Sequence, residues 1–72
     1  MESTRYEVLP SEPGWVIRRN GHDRAYCADP ESALQLAAAL AHGEHTQDAG
    51  ATCCVWIRNE QGSWTEAVSI GG

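Results

Sequence analysis

Along the chain, short runs in which apolar and polar residues alternate flank one longer run whose apolar residues recur every three or four positions. The first rhythm is that of half-buried strands, whose side chains point to opposite faces in turn; the second is that of an amphipathic helix. Arg5 to Leu9 places Tyr6 and Val8 on one side and stops at Pro10, which has no N–H to give a ladder. Trp15-Val16-Ile17-Arg18-Arg19 is rich in strand formers and runs straight into Asn20-Gly21. Asn-Gly accepts the positive φ angles of a type I′ turn, so a tight hairpin is predicted. Its register sets Arg19 opposite His22, Arg18 opposite Asp23, Ile17 opposite Arg24, Val16 opposite Ala25 and Trp15 opposite Tyr26. An aromatic pair and an opposite-charge pair across the strands then contribute about 0.2–1 kcal/mol each.

Asp29-Pro30-Glu31 predicts a helix start: an Asp cap, a Pro whose missing N–H costs nothing there, and an acid that suits the helix dipole. The helix is expected to run to about His42 and to stop at Gly43. Its apolar stripe reads Ala33, Leu36, Ala37 and Leu40, flanked by Leu34, Ala38 and Ala41. After a polar loop from Glu44 to Gly50, Thr52 to Arg58 reads as a strand, Asn59 to Gly62 as a turn and Trp64 to Ile70 as the returning strand. With a tight turn, Ile57 opposes Trp64, and Cys53, Val55, Ile57, Trp64, Val68 and Ile70 share one face. Glu66 then points into that face, a conflict that a one-residue bulge removes. The predicted fold is α+β: an antiparallel sheet of four to five strands with one helix packed on one face, in the order β-β-(β)-α-β-β. It forms a single domain over residues 1–72, with an ordered core of about 5–70.

A chain of 72 residues has a thin core, since so short a chain buries only about 60% of the surface its unfolded form exposes. Ten acidic residues face five Arg and no Lys, giving a formal charge of −5. Such a domain repels phosphate backbones and is drawn to basic protein surfaces. Cys27, Cys53 and Cys54 are odd in number and two are adjacent, which suits reduced thiols in a cytoplasm better than a disulfide framework. The first residues carry no apolar leader run, and no stretch is long and apolar enough for a membrane span, so no membrane association is expected.

The candidate chemistry is sparse. His42 and His45 precede Cys53 and Cys54, but adjacent cysteines lack the gap that lets two thiolates reach one zinc ion. Cys53 is expected in the core and Cys54 half-exposed. No Cys–His pair is marked out for nucleophilic catalysis, and there is no phosphate loop or serine elbow. No catalytic, cofactor-binding or metal-ligating residue is therefore assigned, and a non-enzymatic role is expected.

The order Gly14-Trp15-x-Ile17-x-Arg19, Asn20-Gly21, Arg24-Ala25, a Pro-started Ala-rich helix and a closing hairpin resembles a group of short uncharacterised bacterial proteins. The resemblance covers roughly Gly14 to Ile70 and implies a β-β-α-β-β layout with no established reaction. The acidity departs from that group, whose members are richer in Lys.

Binding is left as the expected activity. If Val55 and Ile57 face the helix, alternation puts Trp56 on the other side with Thr52, Cys54 and Arg58; in the reverse register Trp56 is core. An exposed Trp beside Arg has the composition of a binding hot spot. The candidate partner-binding residues are Trp56, Arg58, Arg18, Arg19 and Arg24. In size and charge the chain is similar to small phage or bacterial regulators that inhibit a host nucleic-acid enzyme such as RNA polymerase, and the expected partner is a protein with a basic surface. The alternative is a single-stranded nucleic-acid binder that stacks bases on Trp15, Tyr26 and Trp56 and meets phosphates with Arg18, Arg19, Arg24 and Arg58.

Overall fold

The computed structural model describes residues 3–71. Strand β1 spans Ser3–Pro10, β2 Trp15–Arg19 and β3 His22–Cys27; helix α1 spans Pro30–Gln47, and β4 Thr52–Arg58 and β5 Trp64–Ile70 close the chain. The strands form one five-stranded sheet in the order β3-β2-β1-β4-β5, with α1 packed on one face. The α+β class and the element order are as the alternation predicts. The ordered core, expected from about residue 5, already takes in Ser3 and Thr4, which belong to β1; residues 1, 2 and 72 lie outside the described residues.

One pair departs from an all-antiparallel sheet. β1 and β4 run parallel at its centre, from Ser3 opposite Thr52 to Val8 opposite Ile57. Parallel neighbours need a long crossover, and the β2–β3 hairpin followed by α1 supplies it.

The Asn20-Gly21 turn forms as expected, with φ at +50° and +88°. The Asn20 side chain also accepts from the Arg5 N–H at 2.9 Å, and its own N–H donates to the Arg5 carbonyl, tying the turn to β1. Arg19 opposes His22 and Arg18 opposes Asp23 as predicted, but the ladder then slips. Arg24 bulges out, so Ile17 meets Ala25, Val16 meets Tyr26 and Trp15 meets Cys27. The expected Trp15–Tyr26 pair is not made. The slip keeps polar Arg24 away from buried Ile17 and puts Ala25 there instead, which a thin core requires.

Asp29 caps α1 through both oxygens, accepting from the Ser32 N–H at 2.8 Å and the Ser32 hydroxyl at 3.2 Å, with Pro30 in the first turn. The buried stripe is Ala33, Ala37 and Ala41, all fully buried, flanked by half-buried Leu34 and Leu40. Leu36 is 39% exposed, which corrects the predicted stripe. Only a methyl fits where α1 lies against Tyr6, Val8, Ile17 and Val55, so the larger leucines are turned to the rim. The helix also passes through Gly43 to Gln47 instead of stopping there. Gly costs about 1 kcal/mol in a helix interior relative to Ala, and contacts made by the next two residues, Glu44 and His45, offset it.

The closing hairpin contains the anticipated bulge. Val55 opposes Val68, but Trp56 opposes Glu66, leaving Ala67 as the extra residue. Arg58, not Ile57, opposes Trp64. Glu66 and Trp64 therefore lie on the face away from the helix, and Cys53, Val55, Ile57, Val68 and Ile70 face α1.

Candidate functional site

The helix α1 covers one face of the sheet; the other, open face carries no helix and buries Leu9 and Val16 where β1 meets β2. The registers carry a single row across all five strands of the open face: Asp23, Arg18, Glu7, Trp56 and Glu66. Arg5 lies two residues before Glu7 on β1, and Arg58 two residues after Trp56 on β4, where it opposes Trp64. The Arg5 guanidinium sits over both indoles, 4.9 Å from the centre of Trp56 and 5.4 Å from that of Trp64. Arg58 lies 5.8 Å from Trp64. Two indoles and two guanidiniums thus form a short ladder, each cation–π contact worth roughly 0.5–1 kcal/mol at an exposed site.

Carboxylates hold two of the arginines in place. The Arg5 Nε donates to Glu7 at 3.0 Å, and the Arg18 Nε donates to Asp23 at 2.7 Å. That bond, with a second from the Tyr26 hydroxyl, keeps the Asp23 carboxyl below its ordinary range, and the hydrogen bond to Asp23 pushes the Tyr26 phenol up. The Arg58 Nε is buried without a partner among the described residues. The face is charge-neutral: Arg5, Arg18 and Arg58 against Glu7, Asp23 and Glu66. The other described charges are Arg19 and Arg24 against Glu12, Asp29, Glu31, Glu44, Asp48 and Glu60, and they belong to the helix side, the β3 bulge and the loops. The chain's acidity resides there.

The five candidate residues therefore divide. Trp56, Arg58 and Arg18 share the open face, and the choice left open for Trp56 resolves with Val55 fully buried against the helix. Arg19 and Arg24 do not join them. Arg19 points to the helix side, and Arg24 bulges from the sheet edge to line a polar cleft with Thr4, Glu44, Gln47, Asp48 and Ala51. Trp15 also faces the helix side, half-buried, and Tyr26 stands on the open face, 66% exposed.

At that cleft Glu44 gathers the polar groups under the helix. It accepts from the Tyr6 hydroxyl and the Arg19 Nε, both at 2.5 Å, while the Cys53 thiol approaches at 3.9 Å. The Arg19 hydrogen bond is the main reason the Glu44 carboxyl is held below its ordinary range, and the same bond raises Arg19. Burial, then the Glu44 carboxylate, push Tyr6 up to about 12. Burial also raises the Cys53 thiol, which makes it a poor nucleophile. Cys53 and Cys54 leave opposite faces of β4, and the Nδ1 of His45 lies 3.1 Å from the Ala51 carbonyl. Among the described residues no three metal-ligating side chains converge, and no helix is long and apolar enough to cross a membrane.

Two residues escape the sequence pattern. Arg5 is foreshadowed, since alternation from Tyr6 and Val8 sends it to the open face, but nothing local says that two tryptophans meet it there. Glu44 is hidden because Gly43 reads as a helix stop and puts it in a loop. Compared with protein families, characterised proteins and solved structures, the chain finds no match.

Proposed function

We propose that the domain is a non-catalytic protein-binding module that docks through the open face of its sheet, centred on Trp56 and Trp64. The observation that carries this is the indole–guanidinium ladder on the sheet face opposite α1, where Leu9 and Val16 are buried but Trp64 is exposed. Trp and Arg are the side chains that dominate binding energy at protein interfaces, and the ladder holds them rigid before any partner arrives. The row of alternating charges across the strands suits a protein surface of mixed charge. The acidic helix side and loops steer the domain toward a target with basic surroundings, of which a bacterial RNA polymerase is the example that size and charge favour.

The nucleic-acid alternative is the weaker reading on the same residues. Its bases would stack on indoles that Arg5 already occupies, and its phosphates would meet Glu7, Asp23 and Glu66 between the arginines.

The intrinsic tryptophan fluorescence makes a direct test. Titration with oligo-dT at about 0.15 M salt, where charges are screened beyond roughly 8 Å, is expected to leave it unchanged. Capture from bacterial lysate on immobilised domain is expected to retain a protein that nuclease does not release and that a Trp56→Ala bait fails to hold. Saturable quenching by the oligonucleotide, weakened by Arg18→Ala, would reverse the assignment.

A further inference from the structure

The sheet ends in two strand edges, and they are protected differently. On β3 the run His22-Asp23-Arg24 sets polar and charged side chains along the edge, and Arg24 bulges out of the ladder. β5 also has a bulge, at Ala67, but it carries one charged side chain, Glu66, and neither Pro nor Lys over its seven residues. Among the described residues, none of its backbone groups bonds to anything beyond β4. A strand edge of this kind is a template for another strand.

We infer that the β5 edge pairs with the β5 edge of a second copy of this chain, antiparallel about a two-fold axis, to make a continuous ten-stranded sheet. The bulge at Ala67 limits the registers, because opposed residues must lie on the same face. Trp64, Glu66 and Ser69 lie on the open face; Thr65, Val68 and Ile70 lie on the helix side. Setting Thr65 opposite Ile70 and Glu66 opposite Ser69 of the second copy satisfies both sides and brings Ala67 against Val68 at the axis. Like charges do not meet, and the half-buried Val68 and Ile70 gain cover. The register one step away puts the two Glu66 carboxylates beside each other at the axis and is disfavoured. The helix side agrees, since α1 lies mainly over β1 and β4 and leaves β5 room for a neighbour.

Such an interface is small, so the dimer is weak and exchanging. It places both indole ladders on one face of one sheet, giving a partner with two sites a bivalent hold. The dimer itself does not depend on the open face binding anything.

Sedimentation equilibrium over a micromolar-to-millimolar series tests it. The expected mass rises from 7.8 kDa toward twice that value, and β5 amides become protected from hydrogen exchange as concentration rises. Added salt is expected to strengthen the association, because each copy carries −5. Ala67→Lys separates edge pairing from bulk charge. It reduces the net repulsion between copies yet sets a cation on each side of the axis, and it is expected to weaken the dimer at least about tenfold. Trp56→Ala is expected to leave the dimer unchanged while abolishing capture of the protein partner, so the two proposals fail separately. A monomer throughout the series with β5 amides unprotected would overturn the inference. So would an Ala67→Lys protein that is folded by circular dichroism and dimerises as well as wild type.

Discussion

Glu44 shows what one side chain does in a core this thin. Its carboxylate takes hydrogen bonds from Tyr6 and Arg19, so one residue of α1 fastens the helix to β1 and β2. The linkage has a definite sign. A carboxyl held below its ordinary value of 4.5 in the folded state adds stability that is present above that pH and is lost as pH falls through the lowered value. Tyr6 works at the other end: its phenol titrates near 10 unfolded and at about 12 folded, so its contribution is lost as pH rises between those values. Glu44→Gln is expected to cost about 1–3 kcal/mol at pH 7 and to flatten the acid limb of stability below that carboxylate range. Tyr6→Phe should remove the limb between 10 and about 12. Urea midpoints taken across pH check both, and an unchanged acid limb in Glu44→Gln would mean the carboxylate carries no charge-dependent stability. This cluster was invisible beforehand for a physical reason. Local sequence marks Gly43 as a helix end, and only tertiary contacts to residues 25 and 38 positions back along the chain make continuing worthwhile.

At the scale of elements, strand and helix identity was legible because period and punctuation agree: Pro10, Asn20-Gly21, Asp29-Pro30 and the Asn59–Gly62 turn each stand at a real boundary. Facing was legible only where no bulge intervened. The anticipated bulge in β5 took Glu66 to the open face and carried Trp64 with it, whereas the slip at Arg24 in β3 had no local signal and broke the Trp15–Tyr26 pair. The helix stripe failed more simply. Leucines outrank alanines on any hydrophobicity scale, but close approach of helix and sheet selects the smallest side chain, so Ala33, Ala37 and Ala41 are the contact and Leu36 is not. The two kinds of residue should respond in opposite ways to a change of size. Leu36→Ala is expected to change stability by less than about 1 kcal/mol, as half-exposed positions do. Ala37→Leu is expected to cost about 1–3 kcal/mol or more, because the added methylenes have only the sheet to push against. Thermal or denaturant unfolding of the two variants decides it, and a large loss in Leu36→Ala would restore the leucine stripe.

Across the whole molecule, acidity and the aromatic surface occupy different places, and that separation governs how binding responds to salt. Long-range attraction comes from the helix side and loops, whose carboxylates outnumber Arg19 and Arg24. The neutral open face supplies contacts that ions screen little. Salt should therefore slow association with a basic partner and leave dissociation nearly unchanged, since steering acts on the encounter and desolvated contacts act on the bound state. Trp56→Ala should do the opposite, accelerating dissociation and weakening the complex by more than about 1 kcal/mol with little change in association. Arg24→Ala, at the polar cleft rather than in the ladder and making the molecule more acidic, should leave dissociation alone and slightly speed association. Surface plasmon resonance at two ionic strengths resolves the rates. If Arg24→Ala accelerates dissociation as much as Trp56→Ala does, the working surface is the polar cleft beside Glu44 rather than the open face of the sheet.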